Sequence, residues 1–134
     1  MADTGPDGGD RTDVPRVLGN SADITAGAPA TSGTLWKLDL PDRGLDSNII
    51  ALPPHGTIGA HHGADVDVLV HVLTGNGTVT TEQSTVDLHP GALLWMPRRS
   101  RREFQAGPEG LRYLTVHQHR EIGGLMPTVR QAVS

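Results

Sequence analysis

The chain contains no cysteine. That excludes disulfides, thiolate metal ligands and thiol nucleophiles together, and it fits a reducing compartment. Aromatic residues are scarce: Trp36, Trp95, Phe104 and Tyr113 are the only four in 134 residues. Most of them are expected in the core. No apolar run approaches the length needed to span a bilayer. The N-terminal stretch MADTGPDGGDRTDVPRV is acidic and rich in Gly and Pro, without the basic start and apolar core of a secretory signal. The expectation is a soluble, cytoplasmic protein with no membrane partner. A net charge of −4 with His neutral argues against a nucleic-acid partner held by general electrostatics. No segment of ten or more residues sustains a helical period. A Ser-His-Asp arrangement, a phosphate-cradling Gly loop and zinc-finger spacing are also absent.

What is present is histidine and β-pattern. Seven histidines is a high count for this length, and without cysteine a tightly held transition metal would need them, with carboxylates. Residues 1–33 are rich in Gly, Asp, Thr, Ala and Pro and poor in large apolar residues. Such a segment buries too little to offset its ordering entropy, so a disordered or loosely docked arm is expected. Within it, VPRVLGNSADI has enough apolar character to dock. From Thr34 the texture changes to short runs rich in Val, Ile, Leu and Thr, separated by PDRG, PPHG, TGNG, HPG, PRRS and GPEG. Near-even spacing of such runs is the mark of an all-β sandwich or barrel. The domain is expected over 34–120, followed by a tail over 121–134 in which MPTVRQAV has the makings of a short helical turn.

Two spaced motifs sharpen this pattern. In the first, Gly56 is followed after five residues by His62, and Gly75 closes it. In the second, Gly91 is followed after five residues by Pro97, within HPGALLWMPRRSRREFQA. Gly75 and Gly77 suit positive φ in a tight strand-to-strand turn, Gly91 follows Pro90 in another, and Pro97 ends a strand because it cannot donate to the ladder. In these two motifs, and over about Thr34 to His119, the sequence resembles the cupin superfamily. The resemblance implies a single-domain jelly-roll β-barrel.

Metal-binding cupins converge two histidines, a glutamate and a later histidine on Fe, Mn, Ni, Cu or Zn inside the barrel. The resemblance puts His62 at the first of these positions, but Ala64, Val68 and Arg102 at the others, and Arg99 and Ala106 where the second motif has glycine and asparagine. A bulge could bring Asp67 into the glutamate position. His117 and His119 share one face of the last strand by its period of two, and with His62 and Asp67 they would make an open site for Fe, Mn, Ni or Zn. His62 is expected inside and His61 outside. The bland alternative for His62 is a neutral, hydrogen-bonded interior histidine.

A buried Arg102 would need a partner, either Asp67 or an anionic ligand. Arg98, Arg99, Arg101 and Arg102 could form an anion clamp at the barrel mouth, or a solvated loop. Three functions follow. The first is a binding module for a small, polar or anionic organic ligand without the usual metal centre. Its contacts would be His62, Arg102 and the Tyr113 hydroxyl, in a cavity shaped by Val70, Met96 and Phe104. The second is a metal-dependent dioxygenase, isomerase or cyclase. The third is an interaction protein whose barrel is only packed core. The resemblance also implies a homodimer.

Overall fold

The structure, a computed structural model, describes residues 14–120. The first thirteen residues of the arm, the tail and its MPTVRQAV turn lie outside the described residues. Seven strands are formed: β1 (Gly33–Lys37), β2 (Leu45–Leu52), β3 (Thr57–His62), β4 (Val68–Thr80), β5 (Thr85–Leu88), β6 (Leu93–Met96) and β7 (Arg101–Gln118). One helical turn, α1 (Ser21–Ile24), is capped by Asn20, whose side chain accepts from the Asp23 N–H. Among the described residues no helix is long and apolar enough to cross a membrane.

Every strand pairing is antiparallel. The two long strands, β4 and β7, run side by side and are shared by two sheets. The first part of β4 pairs with β6 and its last part with β5. The first part of β7 pairs with β3 and its last part with β2, which carries β1 at its edge. One layer is therefore β1-β2-β7-β4-β6 and the other β3-β7-β4-β5. This is the expected jelly roll, built on a bent two-stranded ribbon.

The bend corrects one expectation. TGNG and GPEG do not turn the chain back; both lie inside continuous strands. Gly75 has φ 78°, and a Cβ there would sit 2.1 Å from the Gly110 carbonyl oxygen. Gly77 does not take positive φ; its lack of a side chain serves close approach, since a Cβ would lie 2.3 Å from the Gln105 carbonyl oxygen. Register shifts between Val72 and Thr74 and between Gly75 and Gly77 mark the same corner. Irregular pairing of this kind bends a strand and increases its twist. Pro90-Gly91 is a true turn, with Gly91 at φ 92°.

The core lies between the two layers. On β4, Val68, Val70 and Val72 are buried, while the intervening Leu69 is exposed and His71 half-buried. On β7 the buried set is Arg102, Phe104 and Ala106 before the bend, and Leu111, Tyr113 and Thr115 after it. The change of parity across GPEG keeps both halves facing the same interior. Ile49, Ala51 and Arg112 are buried too, although their strand parity puts them on the outer face. On that face Arg112 meets the N-terminal segment, donating from Nη1 to the Thr25 carbonyl at 3.1 Å and from Nη2 to the Ala28 carbonyl. Trp95 does not join the core. It is 59% exposed, opposite Leu69, with Leu93 71% exposed beside it on the outer face.

Candidate functional site

The inward row of β7 carries the polar groups of the interior. Arg102 is only 1% exposed, and Phe104 and Tyr113 are fully buried. The Phe104 and Tyr113 rings stack with centroids 5.2 Å apart and planes 6° from parallel. The ring pair bridges the two layers, because Phe104 and Tyr113 stand on opposite sides of the β7 bend.

The Arg102 guanidinium lies over the backbone of Gly63. A Cβ at that position would fall 1.5 Å from Nη1, so glycine there makes room for the cation. Nη1 donates to the Ser100 carbonyl at 2.9 Å, and the Gly63 N–H donates to the same oxygen at 2.9 Å. Three buried polar atoms of the row lack a hydrogen-bond partner among the described residues: Arg102 Nε, the Tyr113 hydroxyl and Thr115 Oγ1. Such atoms cost about 1–3 kcal/mol each when left unpaired. Burial lowers the Arg102 pKa. Burial raises that of Tyr113, and the charge of Arg102 draws it partly back. The phenol therefore stays protonated and can donate.

Asp67 does not reach Arg102. Its carboxylate accepts from the Arg98 backbone N–H at 2.9 Å and from the Arg98 guanidinium at 3.4 Å. The backbone hydrogen bond, then that of the side chain, holds Asp67 below the usual carboxylate range. Asp65 pairs with Arg99 and lies 3.9 Å from Arg120. Arg98 and Arg99 are thus engaged on the outside, tying the β3–β4 connection to the β6–β7 connection, and do not form an anion clamp. Among the described residues, no carboxylate forms an ion pair with Arg102.

The histidines also differ from expectation. A register shift between Ile58 and His61 reverses the face of the end of β3. His62 ends up exposed opposite exposed Arg101, whereas half-buried His61 stands opposite buried Arg102. The sequence could not show this bulge; GA at Gly59-Ala60 is its only local trace. His117 continues the inward row but is half-buried at its end, its Nδ1 within 3.0 Å of the Gln118 carbonyl. His119 lies past the strand and bonds through Nδ1 to Asp46 at 2.8 Å. Asp46 also accepts from Arg43 Nε at 2.8 Å. Among the described residues, no three His, Asp or Glu side chains come together as a metal ion would require. His62, Asp67, His117 and His119 are not assembled into a centre, so the donor set does not fit a cupin metal. Val70 and Met96 are buried as expected.

The Asp46 cluster gives a pH-dependent expectation. Burial pushes Asp46 up, but hydrogen bonds and charge from His119 and Arg43 outweigh it and leave its pKa lowered. A lowered folded pKa stabilises the protein above the unfolded carboxylate range and loses that contribution as pH falls through the folded pKa. Asp46→Asn should cost about 1–2 kcal/mol at pH 7, with the difference from wild type shrinking in urea titrations as pH falls below the usual carboxylate range.

Arg99 offers a second. The residue at the position of the second-motif glycine adopts φ 59°, a conformation that costs a non-glycine residue about 1 kcal/mol. Its pair with Asp65 is exposed on both sides and contributes little. Arg99→Gly should leave stability unchanged or raise it by up to about 1 kcal/mol, read as a higher unfolding midpoint.

A cleft of about 320 Å³ opens between β1, β2 and β3, with Ile50, Leu52 and Ile58 on its floor and Ser32, Thr34 and Thr57 at its rim. Ile50 is the cross-strand partner of Tyr113, and Ile58 that of Phe104. The two rings flank these lining residues within the sheets but do not themselves line the cleft. The opening itself is not legible in the sequence, because residues of β1 and β3 come to line one cleft only through the two-layer topology.

A bent β4–β7 ribbon closing two layers over a largely apolar interior defines a cupin-type jelly roll. Residues 53–122 match the AraC-like ligand binding domain, and the chain belongs to that family. No curated protein sequence matches the chain. The BH2720 protein of Bacillus halodurans has a similar structure, with TM-score 0.64 at 17% identity over 84% of this chain and 87% of that one. The cupin domain of Cnp3 from Schizosaccharomyces pombe aligns with TM-score 0.57 at 15% identity, over 63% of this chain and 59% of that one. The polyketide cyclase RemF of Streptomyces resistomycificus aligns with TM-score 0.53 at 21% identity, over 58% of this chain and 56% of that one. The chain thus spans less than two thirds of the Cnp3 and RemF chains, and likenesses at this identity concern the fold.

Proposed function

We propose that this protein is a binding module that holds a small anionic organic ligand in its barrel, without a four-ligand metal centre, in the cytoplasm. The observation that carries the reading is Arg102. It is a buried cation without an ion-pair partner among the described residues, at the position where the metal-binding cupins have their later histidine. A buried charge of this kind is costly unless paired, and an anionic ligand would supply the pair. The Tyr113 hydroxyl and Thr115 Oγ1 add buried hydrogen-bonding capacity that is unmet among the described residues. Membership of a ligand-binding family supports the same reading.

A thermal-shift screen of anionic metabolites, paired with metal analysis of untagged protein, tests it. Saturable stabilisation by an anion, lost in Arg102→Met, is the expected result. Stoichiometric Fe, Mn, Ni or Zn that disappears in His62→Ala would overturn it in favour of a metal enzyme.

The reading includes a homodimer. Leu69, Leu93 and Trp95 form an exposed apolar row on the outer face of β4 and β6, and apolar patches of this kind favour association. Sedimentation should show a dimer for the wild type and a monomer for Trp95→Lys.

A further inference from the structure

The cleft between β1, β2 and β3 is separate from the Arg102 row, and a ligand there is independent of the anion-binding reading. The cleft lies at the seam where the two layers part. On the far side β4 and β7 join the layers. On the cleft side β1 is the edge of one layer and β3 the edge of the other. The turn from Pro53 to Gly56 crosses between the layers, from β2 to β3, and forms a fixed wall. The Gly56 N–H donates to the Pro53 carbonyl at 2.8 Å, and the Gly56 carbonyl accepts from the Ala106 N–H at 2.8 Å. A Cβ at Gly56 would fall 2.7 Å from the Pro53 ring.

The floor of the cleft is the edge of the core. Ile50 and Leu52 belong to the buried apolar cluster, and Ile58 packs against it. Thr34 is the cross-strand partner of Ile50, so its side chain stands on the same face of the sheet, beside that floor. Ser32 lies two residues earlier at the same rim. Both are exposed, and a hydroxyl can donate and accept. None of the residues that line the cleft is charged. Its volume, about 320 Å³, is at the small end for a ligand pocket.

These features select a chemistry. An ion would give up water against apolar walls with no opposite charge to meet it, which is costly. A sugar would press most of its hydroxyls onto Ile50, Leu52 and Ile58, each at a cost. A plain hydrocarbon would leave the rim hydroxyls unused. We infer that the cleft is a binding site for a small neutral molecule with a compact apolar body and one alcohol or phenol group, its body on Ile50, Leu52 and Ile58 and its oxygen at Ser32 and Thr34. Such a ligand touches both layers at their seam, and its binding adds to the stability of the folded state by mass action.

Titration of the full chain with p-cresol, toluene and p-toluate, followed by the backbone amide resonances of Gly33, Thr34, Gly56 and Thr57, tests this. The three probes share one body and differ in the polar group. p-Cresol is expected to shift these resonances saturably. Toluene, which forgoes a hydrogen bond, should bind about five-fold more weakly, and p-toluate, which brings a charge, at least about ten-fold more weakly. The double variant Ser32→Ala/Thr34→Val removes both rim hydroxyls from exposed positions and should bring p-cresol down to the affinity of toluene. The inference is overturned if p-cresol leaves these resonances unmoved, or if p-toluate binds at the same place as tightly. It is overturned equally if toluene matches p-cresol, or if the double variant binds p-cresol like the wild type. None of these outcomes decides the anion-binding reading, whose ligand would move the resonances of Gly63 and Arg102.

Discussion

Arg102→Met should make the ligand-free protein more stable while removing its affinity for anions. In the folded chain the guanidinium is taken out of water, and what it gains in return is a hydrogen bond to the Ser100 carbonyl at 2.9 Å and a long one to Ser100 Oγ at 3.5 Å. Its Nε has no partner among the described residues. Replacing a buried ionic group by an apolar one of similar volume is often neutral or stabilising by roughly 1–4 kcal/mol. Methionine fits an irregular space well, and the Ser100 carbonyl still accepts from the Gly63 N–H. For a domain of this size each kcal/mol moves the midpoint by about 4–8 °C, so a rise of about 4 °C or more is expected in differential scanning calorimetry. Wild type should overtake the variant when a ligand is added in excess, because binding to the folded state adds stability by mass action. A lower midpoint for the variant, with anion binding unaffected, would make Arg102 a structural residue and remove the basis for the proposed function. The trade expected here, stability given up at a site for the sake of binding, is common where function needs a group the fold alone would not choose.

The sequence made the fold legible because strand length, turn residues and glycine spacing all pointed the same way. The short Val- and Leu-rich runs became strands, Pro97 ended β6, and Pro90-Gly91 turned. Arg102 was legible for a related reason: it falls at the second-motif position that the resemblance implies is interior, whereas the change of parity across the β7 bend was not visible. The histidines were not legible. His62 and His61 exchange faces through one irregularity near Gly59, and a period of two offers no protection against a one-residue slip. Asp67 could be read toward the interior, and a backbone N–H thirty-one residues away holds its carboxylate at Arg98 instead. The glycines of TGNG carried the signal of a hairpin turn, but the same residues also serve a strand that bends. Local sequence does not distinguish the two; the pairing of β4 with β7 across both layers does.

That corner yields the largest stability effect expected from one substitution. Gly75 takes positive φ in the middle of a strand, and an added Cβ would meet the Gly110 carbonyl oxygen at 2.1 Å and the Leu111 Cα at 3.1 Å. Both are backbone atoms, so no side chain can swing aside. Gly75→Ala must bear the left-handed backbone, about 1–2 kcal/mol, together with an overpacking penalty of about 1–3 kcal/mol. A loss of roughly 2–5 kcal/mol follows, enough to lower the midpoint by 10 °C or more. Gly91→Ala is the matched comparison. It too has positive φ, at 92°, but nothing lies within 4 Å of its Cβ position. It should lose only the conformational part, about 1–2 kcal/mol. Equal losses for the two variants in urea unfolding would mean that the corner relaxes freely. In that case the β4–β7 ribbon would not hold the two layers at a fixed angle. A much larger loss for Gly75→Ala would mean that the close approach of Gly75 to Gly110 sets that angle. It would then also hold the Phe104–Tyr113 pair in register across the bend, because the two rings meet only when both halves of β7 face each other.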